Sequence, residues 1–170
     1  MYALLLIARI LHVLSGIMWV GVMVFNGRYL GPALEDIGPD AGKVMAALAK
    51  RGFLNFLPTV GAVSLLSGAY LYWHASAGFQ HEYMRSGPGM TFGTGAALAI
   101  IAYIIGMSYV KPAIMKSMAL GPRMASAGES ERQGLMAEMQ AARSRAKSGS
   151  QIAGALVVLA AVAMSIARYT

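Results

Sequence analysis

Four apolar runs alternate along the chain with stretches too polar to enter a bilayer. A hydrocarbon core takes about 20 helical residues to cross, and the pattern predicts spans at about 3–26, 53–73, 90–110 and 152–167. A short connection, His74 to Gly89, joins the second and third runs and ends in what reads as a Gly-Pro-Gly turn, while segments 28–52 and 111–149 are longer. In the first of these, Pro39 and Asp40 introduce a short helix, AGKVMAALAKRGF, after an acidic turn from Glu35 to Asp40. In the second, helical periodicity sets in at Glu129, with Leu135, Met139, Ala142 and Ala146 on one face and Ser130 and Gln133 spaced as a capping box. That helix is expected to run straight into the fourth span as one rod projecting into the cytoplasm. The predicted fold class is all-α: an integral membrane four-helix bundle, a single membrane domain over 1–170.

Composition agrees with this pattern. Hydrophobic residues make up 57% of the chain and charged residues 12%, against about 25% charged in soluble domains. The net charge of +7 does not point to nucleic acid, because of where it lies. Arg28, Lys43, Lys50 and Arg51 follow the first span, and Lys111, Lys116, Arg123, Arg132, Arg143, Arg145 and Lys147 follow the third, whereas the other connection has only Arg85 and the C-terminus only Arg168. The positive-inside rule then puts both termini outside and both long connections in the cytoplasm, with the lipid bilayer as the chief partner and a bacterial inner membrane as the expected location. The start Met1-Tyr2 lacks a basic leader region, so the first run reads as a retained span. With no cysteine in the chain, disulfides, thiolate metal sites, iron–sulfur clusters and covalent haem attachment are excluded.

Small residues mark where spans should touch. Gly61, Ser64 and Gly68 in the second run, Gly95, Ala99, Ala102 and Gly106 in the third, and Ala153, Ala160, Ala163 and Ala167 in the fourth permit close helix contact. Tyr70, Tyr72, Trp73 and His74 cluster at the outer end of the second span, as interfacial aromatics do. Asn26, Asn55 and Thr59 lie toward the cytoplasmic half and are expected to form one hydrogen-bonded cluster.

The first run carries the ionisable groups. Arg9, His12, Gly16, Trp19, Met23 and Asn26 fall near one stripe at 100° per residue, which should face protein. A polar group in hydrocarbon costs roughly 2 to 4 kcal/mol on insertion scales, so an intramembrane histidine is a functional hypothesis from the outset. An interior imidazole serves as a haem or metal ligand, a proton relay, or a hydrogen-bond partner of a neighbouring helix. For haem, Gly16 would leave room for a flat macrocycle, Trp19 would wall it, and Arg9 would pair with a propionate or else snorkel to the headgroups. His74 would be a second axial ligand only if it shares the depth of His12, and is otherwise an interfacial residue. His81 with Glu82 reads as a solvated pair, and Met18, Met23 and Met84 keep a copper reading open.

The segment HVLSGIMWVG resembles a His-x6-Trp-x-Gly pattern associated with three membrane families: the membrane domain of PuuD-type urate hydroxylases, HemJ-type protoporphyrinogen oxidases and CopD-like copper-resistance proteins. The later KRGFLNFLPTVGAVSLLSGAYLYW resembles the second helix of the latter two, so the likeness covers about the first 75 residues. The resemblance to HemJ-type proteins implies haem b, with His12 in the place of the haem-linked histidine. Three functions are therefore in view. The first is a haem b-binding redox protein, passing electrons between a quinol or periplasmic cytochrome and a partner or oxidising a porphyrin-like substrate. The second is a cofactor-free accessory subunit of a larger respiratory or photosynthetic complex, or a homo-oligomer, and the third is CopD-like copper transport.

Overall fold

The computed structural model describes residues 2–170, without the side chain of Pro39. The protein is all-α, with no strand among the described residues, and has four helical rods long and apolar enough to cross a membrane. The first rod comprises α1 (Tyr2–Phe25), a π-helical turn (Asn26–Leu30) and α2 (Gly31–Ile37). A 3-10 turn (Gly38–Asp40) leads into α3 (Ala41–Lys50), and the second spanning helix is α4 (Phe53–Ala75). After the short α5 (His81–Arg85), the third rod joins α6 (Gly87–Ile105), a second π turn (Gly106–Val110) and α7 (Lys111–Ser126). The last rod is α8 (Glu129–Ile166), closed by a 3-10 turn (Ala167–Tyr169).

Several expected boundaries move, each for a local reason. The helix that carries the first span continues past residue 26, and the expected acidic turn is helical through Ile37. Gly31 and Pro32 do not break the rod, because the extra residue of the π turn absorbs the missing proline N–H. Gly87-Pro88-Gly89 is the first turn of α6 rather than a free turn, since proline's fixed φ suits the start of a helix and Ser86 Oγ accepts the Gly89 N–H at 3.2 Å. The capping box at Ser130 does not form. Gly128 takes the cap position and α8 begins two residues earlier than that box requires, at Glu129.

The expected long rod is present in α8, but residues 111–126 are helical too, so the polar segment is a hairpin of α7 and α8. Leu120 of α7 and Leu135 and Ala142 of α8 are buried, and Lys116–Glu138 (3.2 Å) and Arg123–Glu131 (3.8 Å) pair across it. The spanning helices meet through small residues, as they must in lipid, where apolar surface gains little by changing neighbours. A Cβ on Gly61 would lie 2.9 Å from the Tyr103 ring, and one on Gly95 would lie 3.3 Å from the Ala160 carbonyl. Ala153 and Ala160 of α8 and Ala167 of the closing 3-10 turn are buried. Leu4, Ile7, Leu14 and Ile17 of α1 and Val158 and Leu159 of α8 are exposed and form lipid-facing surface.

The two helix pairs repeat one arrangement. Tyr29 within the first π turn and Pro32 and Ala33 after it recur as Tyr109 within the second and Pro112 and Ala113 after it. The buried Val60, Ser64 and Ser67 of α4 find counterparts in the buried Ala153, Val157 and Ala160 of α8. Met23 of α1 rests against Gly154 of α8 as Tyr103 of α6 rests against Gly61 of α4. In this register His12 corresponds to Phe92.

Candidate functional site

His12 lies ten residues into α1, about 15 Å from its start at 1.5 Å per residue. Its ring lies across α4: Nδ1 is 2.9 Å from the Ser64 carbonyl oxygen. A carbonyl only accepts, so Nδ1 carries the proton, and in the neutral ring the lone pair is left on Nε2. The Ser64 oxygen is available because it is shared rather than consumed. Ser67 Oγ also donates to it at 3.2 Å, while its shorter bond goes to the Val63 carbonyl at 2.5 Å.

Gly68 makes this seat possible. A Cβ there would lie 2.7 Å from His12 Cε1 and 2.9 Å from Nδ1, so the imidazole occupies the volume that any other side chain would fill. The ring is half-buried. One turn further, Ser15 is buried and bonds back to the Leu11 carbonyl at 2.5 Å, which satisfies its hydroxyl within α1.

The other expected site residues divide. Gly16 faces Ser64, whose Oγ would be 3.7 Å from a Cβ at that position, so α4 fills the space beside it. Trp19 is 6% exposed, lies 3.4 Å from the Cβ position of Gly61, and meets Tyr103 edge-on at 6.2 Å between ring centres. It belongs to the central apolar cluster with Val60, Ala102, Ala153 and Val157. Arg9 is exposed, with no hydrogen bond or ion pair among the described residues, and so leaves the protein-facing stripe that the other five positions keep. His74 lies six residues beyond Gly68 on α4, roughly 9 Å along the axis and about 120° around it, so the fold does not bring it beside His12. His81 and Glu82 sit exposed on α5. The methionines are separated as well: Met23 packs toward Gly154, and Met84 lies on α5 at the opposite end of the bundle.

The expected cluster of Asn26, Asn55 and Thr59 does not form. Thr59 Oγ1 bonds back to the Asn55 carbonyl at 2.8 Å, Asn55 Oδ1 accepts from Lys111 Nζ at 3.4 Å, and Asn26 Oδ1 is buried in the first π turn without a partner among the described residues. Two grooves lie at this end of the bundle, one around Arg51 and Phe56 and one around Tyr109 and Arg145, and neither includes His12. Sequence reasoning missed two parts of the His12 seat, the Ser64 carbonyl and the Gly68 cradle. Gly61, Ser64 and Gly68 were legible as a packing seam, but nothing in their spacing says which side chain enters it. Comparison with family models, with curated proteins and with solved structures returns no match.

Proposed function

We propose that the protein is a haem b-binding membrane protein of redox type, with His12 as the axial ligand. The observation carrying this reading is the Nδ1–H bond to the Ser64 carbonyl. A histidine that ligates iron through Nε2 commonly gives its other N–H to a carbonyl or carboxylate, which sets the tautomer and the ring plane and makes the ligating nitrogen more basic. The residues present would hold haem through one oriented imidazole, with Arg9, exposed one turn nearer the N-terminus, as counter-charge to a propionate that reaches outside the protein-facing stripe. Gly16 and Trp19 take no part, because α4 and α6 occupy their surroundings. Bound haem would supply one-electron transfer. The chain's own contribution is to hold the imidazole against rotation and to keep a cation near the acidic edge of the group. The electron donor in this reading is a quinol or a periplasmic cytochrome, and the likeness of HVLSGIMWVG to haem-linked helices supports it.

A reduced-minus-oxidised absorption spectrum of the purified full chain tests the proposal. A Soret and α-band pair in wild type that is lost in His12→Ala supports it; a featureless spectrum, or bands unchanged in His12→Ala, rejects it. The packed surroundings of Gly16 and Trp19 favour one second reading, a cofactor-free subunit or homo-oligomer, and a featureless spectrum together with co-purifying large subunits would select it. The proposed location is a bacterial inner membrane with both termini outside, which rests on the eleven Lys and Arg in segments 28–52 and 111–149.

A further inference from the structure

Gly52, at φ +82°, turns the chain between α3 and α4 and opens a shallow groove of about 530 Å³. Leu48, Phe53 and Phe56 give it apolar walls, and Arg51, Asn55 and Thr59 line its polar part. Arg51 is exposed and has no carboxylate partner among the described residues. Lys111, the first residue of α7, reaches Asn55 Oδ1 at 3.4 Å and so stands a second cation beside a residue that lines the groove. Four of the six carboxylates of the polar segments are engaged elsewhere, Asp40 with Lys43, Glu35 with Lys147, Glu138 with Lys116 and Glu131 with Arg123, and neither of the other two, Asp36 and Glu129, lines the groove. Gly52 immediately precedes a helix long and apolar enough to span, and Lys111 follows the second π turn, so the groove lies at an end of the apolar bundle where basic residues begin.

An occupant of this groove must present an apolar body to Phe53 and Phe56 and an anion to Arg51 and Lys111. We propose that it binds one anionic phospholipid, with an acyl chain along the aromatic wall and the phosphate between the two cations. Free phosphate would leave the wall uncovered, and a zwitterionic headgroup would bring its own cation toward Arg51. Basic pockets between spanning helices at the cytoplasmic face hold anionic lipid for this reason. The inference stands apart from the haem reading.

Native mass spectrometry of the full chain in a neutral detergent tests it, with dioleoyl phosphatidylglycerol, dioleoyl phosphatidylcholine and inorganic phosphate as separate probes. The expected result is one retained phosphatidylglycerol per chain and no comparable retention of the other two. Binding should weaken about five-fold in Arg51→Gln or Lys111→Gln and about thirty-fold in the double variant. Phe56→Ser should weaken it while leaving both cations in place, and circular dichroism of each variant establishes that the helices persist. Equal retention of phosphatidylcholine, phosphate binding as tight as that of the lipid, or unchanged phosphatidylglycerol binding in the folded double variant would each overturn the proposal.

Discussion

Replacing Gly68 by alanine adds a single methyl group at the point where α1 and α4 approach most consequentially. The new carbon would lie 2.7 Å from His12 Cε1 and 2.9 Å from Nδ1, well inside van der Waals contact, and the ring has little freedom to retreat because Nδ1 is tied to the Ser64 carbonyl at 2.9 Å. Overpacking of this kind costs about 1–3 kcal/mol, and if the ring swings away the lost hydrogen bond adds roughly 1 kcal/mol. Alanine's better helix propensity offsets up to about 1 kcal/mol. The net expectation is a loss of about 1–3 kcal/mol, or roughly five- to 150-fold in the folding equilibrium. Gly21→Ala is the control: the same substitution in a spanning helix, at a position where the new carbon meets nothing within 4 Å beyond its own stretch of helix, and where stability should hold or rise slightly. Unfolding in mixed detergent micelles, followed by circular dichroism, measures both variants. Should Gly68→Ala prove as stable as wild type, or Gly21→Ala prove equally damaging, the seat assigned to His12 would be wrong. If haem is bound, Gly68→Ala should also displace its bands, because the axial ring has moved, and Gly21→Ala should not.

Other substitutions probe other contacts. Ser64→Ala removes the hydroxyl but keeps the carbonyl that His12 uses, so its spectrum should match wild type where His12→Ala loses the bands; loss of the bands in Ser64→Ala would place the essential bond on the hydroxyl. Gly149→Ala would put a carbon 2.7 Å from Tyr109 Cδ1 and 2.8 Å from Val110 Cγ2, next to the Arg145–Tyr109 cation–π pair at 4.3 Å; it should destabilise by about 1–3 kcal/mol in the same unfolding assay, and no change would show that the second π turn yields freely. Glu35→Gln breaks the Lys147 pair at 2.8 Å, but both side chains are more than half exposed (57% and 58%). The loss should stay below about 1 kcal/mol, and a larger one would make this pair a principal tie between the first and last rods. For orientation, a cysteine at Lys43 should react with impermeant maleimide only after membranes are opened, and one at Met84 should react in intact cells; the reverse result would invert the proposed topology.

Much of the bundle was legible along the chain because lipid imposes simple rules on composition. A spanning helix must satisfy its own backbone and show apolar side chains to hydrocarbon, so run length alone located all four rods, and the small residues at Gly61, Ser64, Gly68, Gly95 and Ala160 marked contact faces before any partner was known. The faces that bind helix to helix are less informative. Glycine and alanine allow approach without choosing what approaches, and so neither Tyr103 against Gly61 nor His12 against Gly68 could be read from spacing. Boundaries failed where a turn of unusual pitch intervened: the two π turns carry the first and third rods past Pro32 and Pro112, residues that in a regular helix would mark an end.

The sequence by itself determined the class, the number of apolar spans and the place of His12 within the first of them, because each follows from hydropathy. Only the tertiary structure decided what that histidine meets. Packing in three dimensions gave its Nδ1 to a carbonyl on α4, closed the space beside Gly16, drew Trp19 into the central cluster and left Arg9 outside. It also placed His74 beyond reach, since depth and azimuth on a neighbouring helix depend on how two helices are docked, and no single helix encodes that.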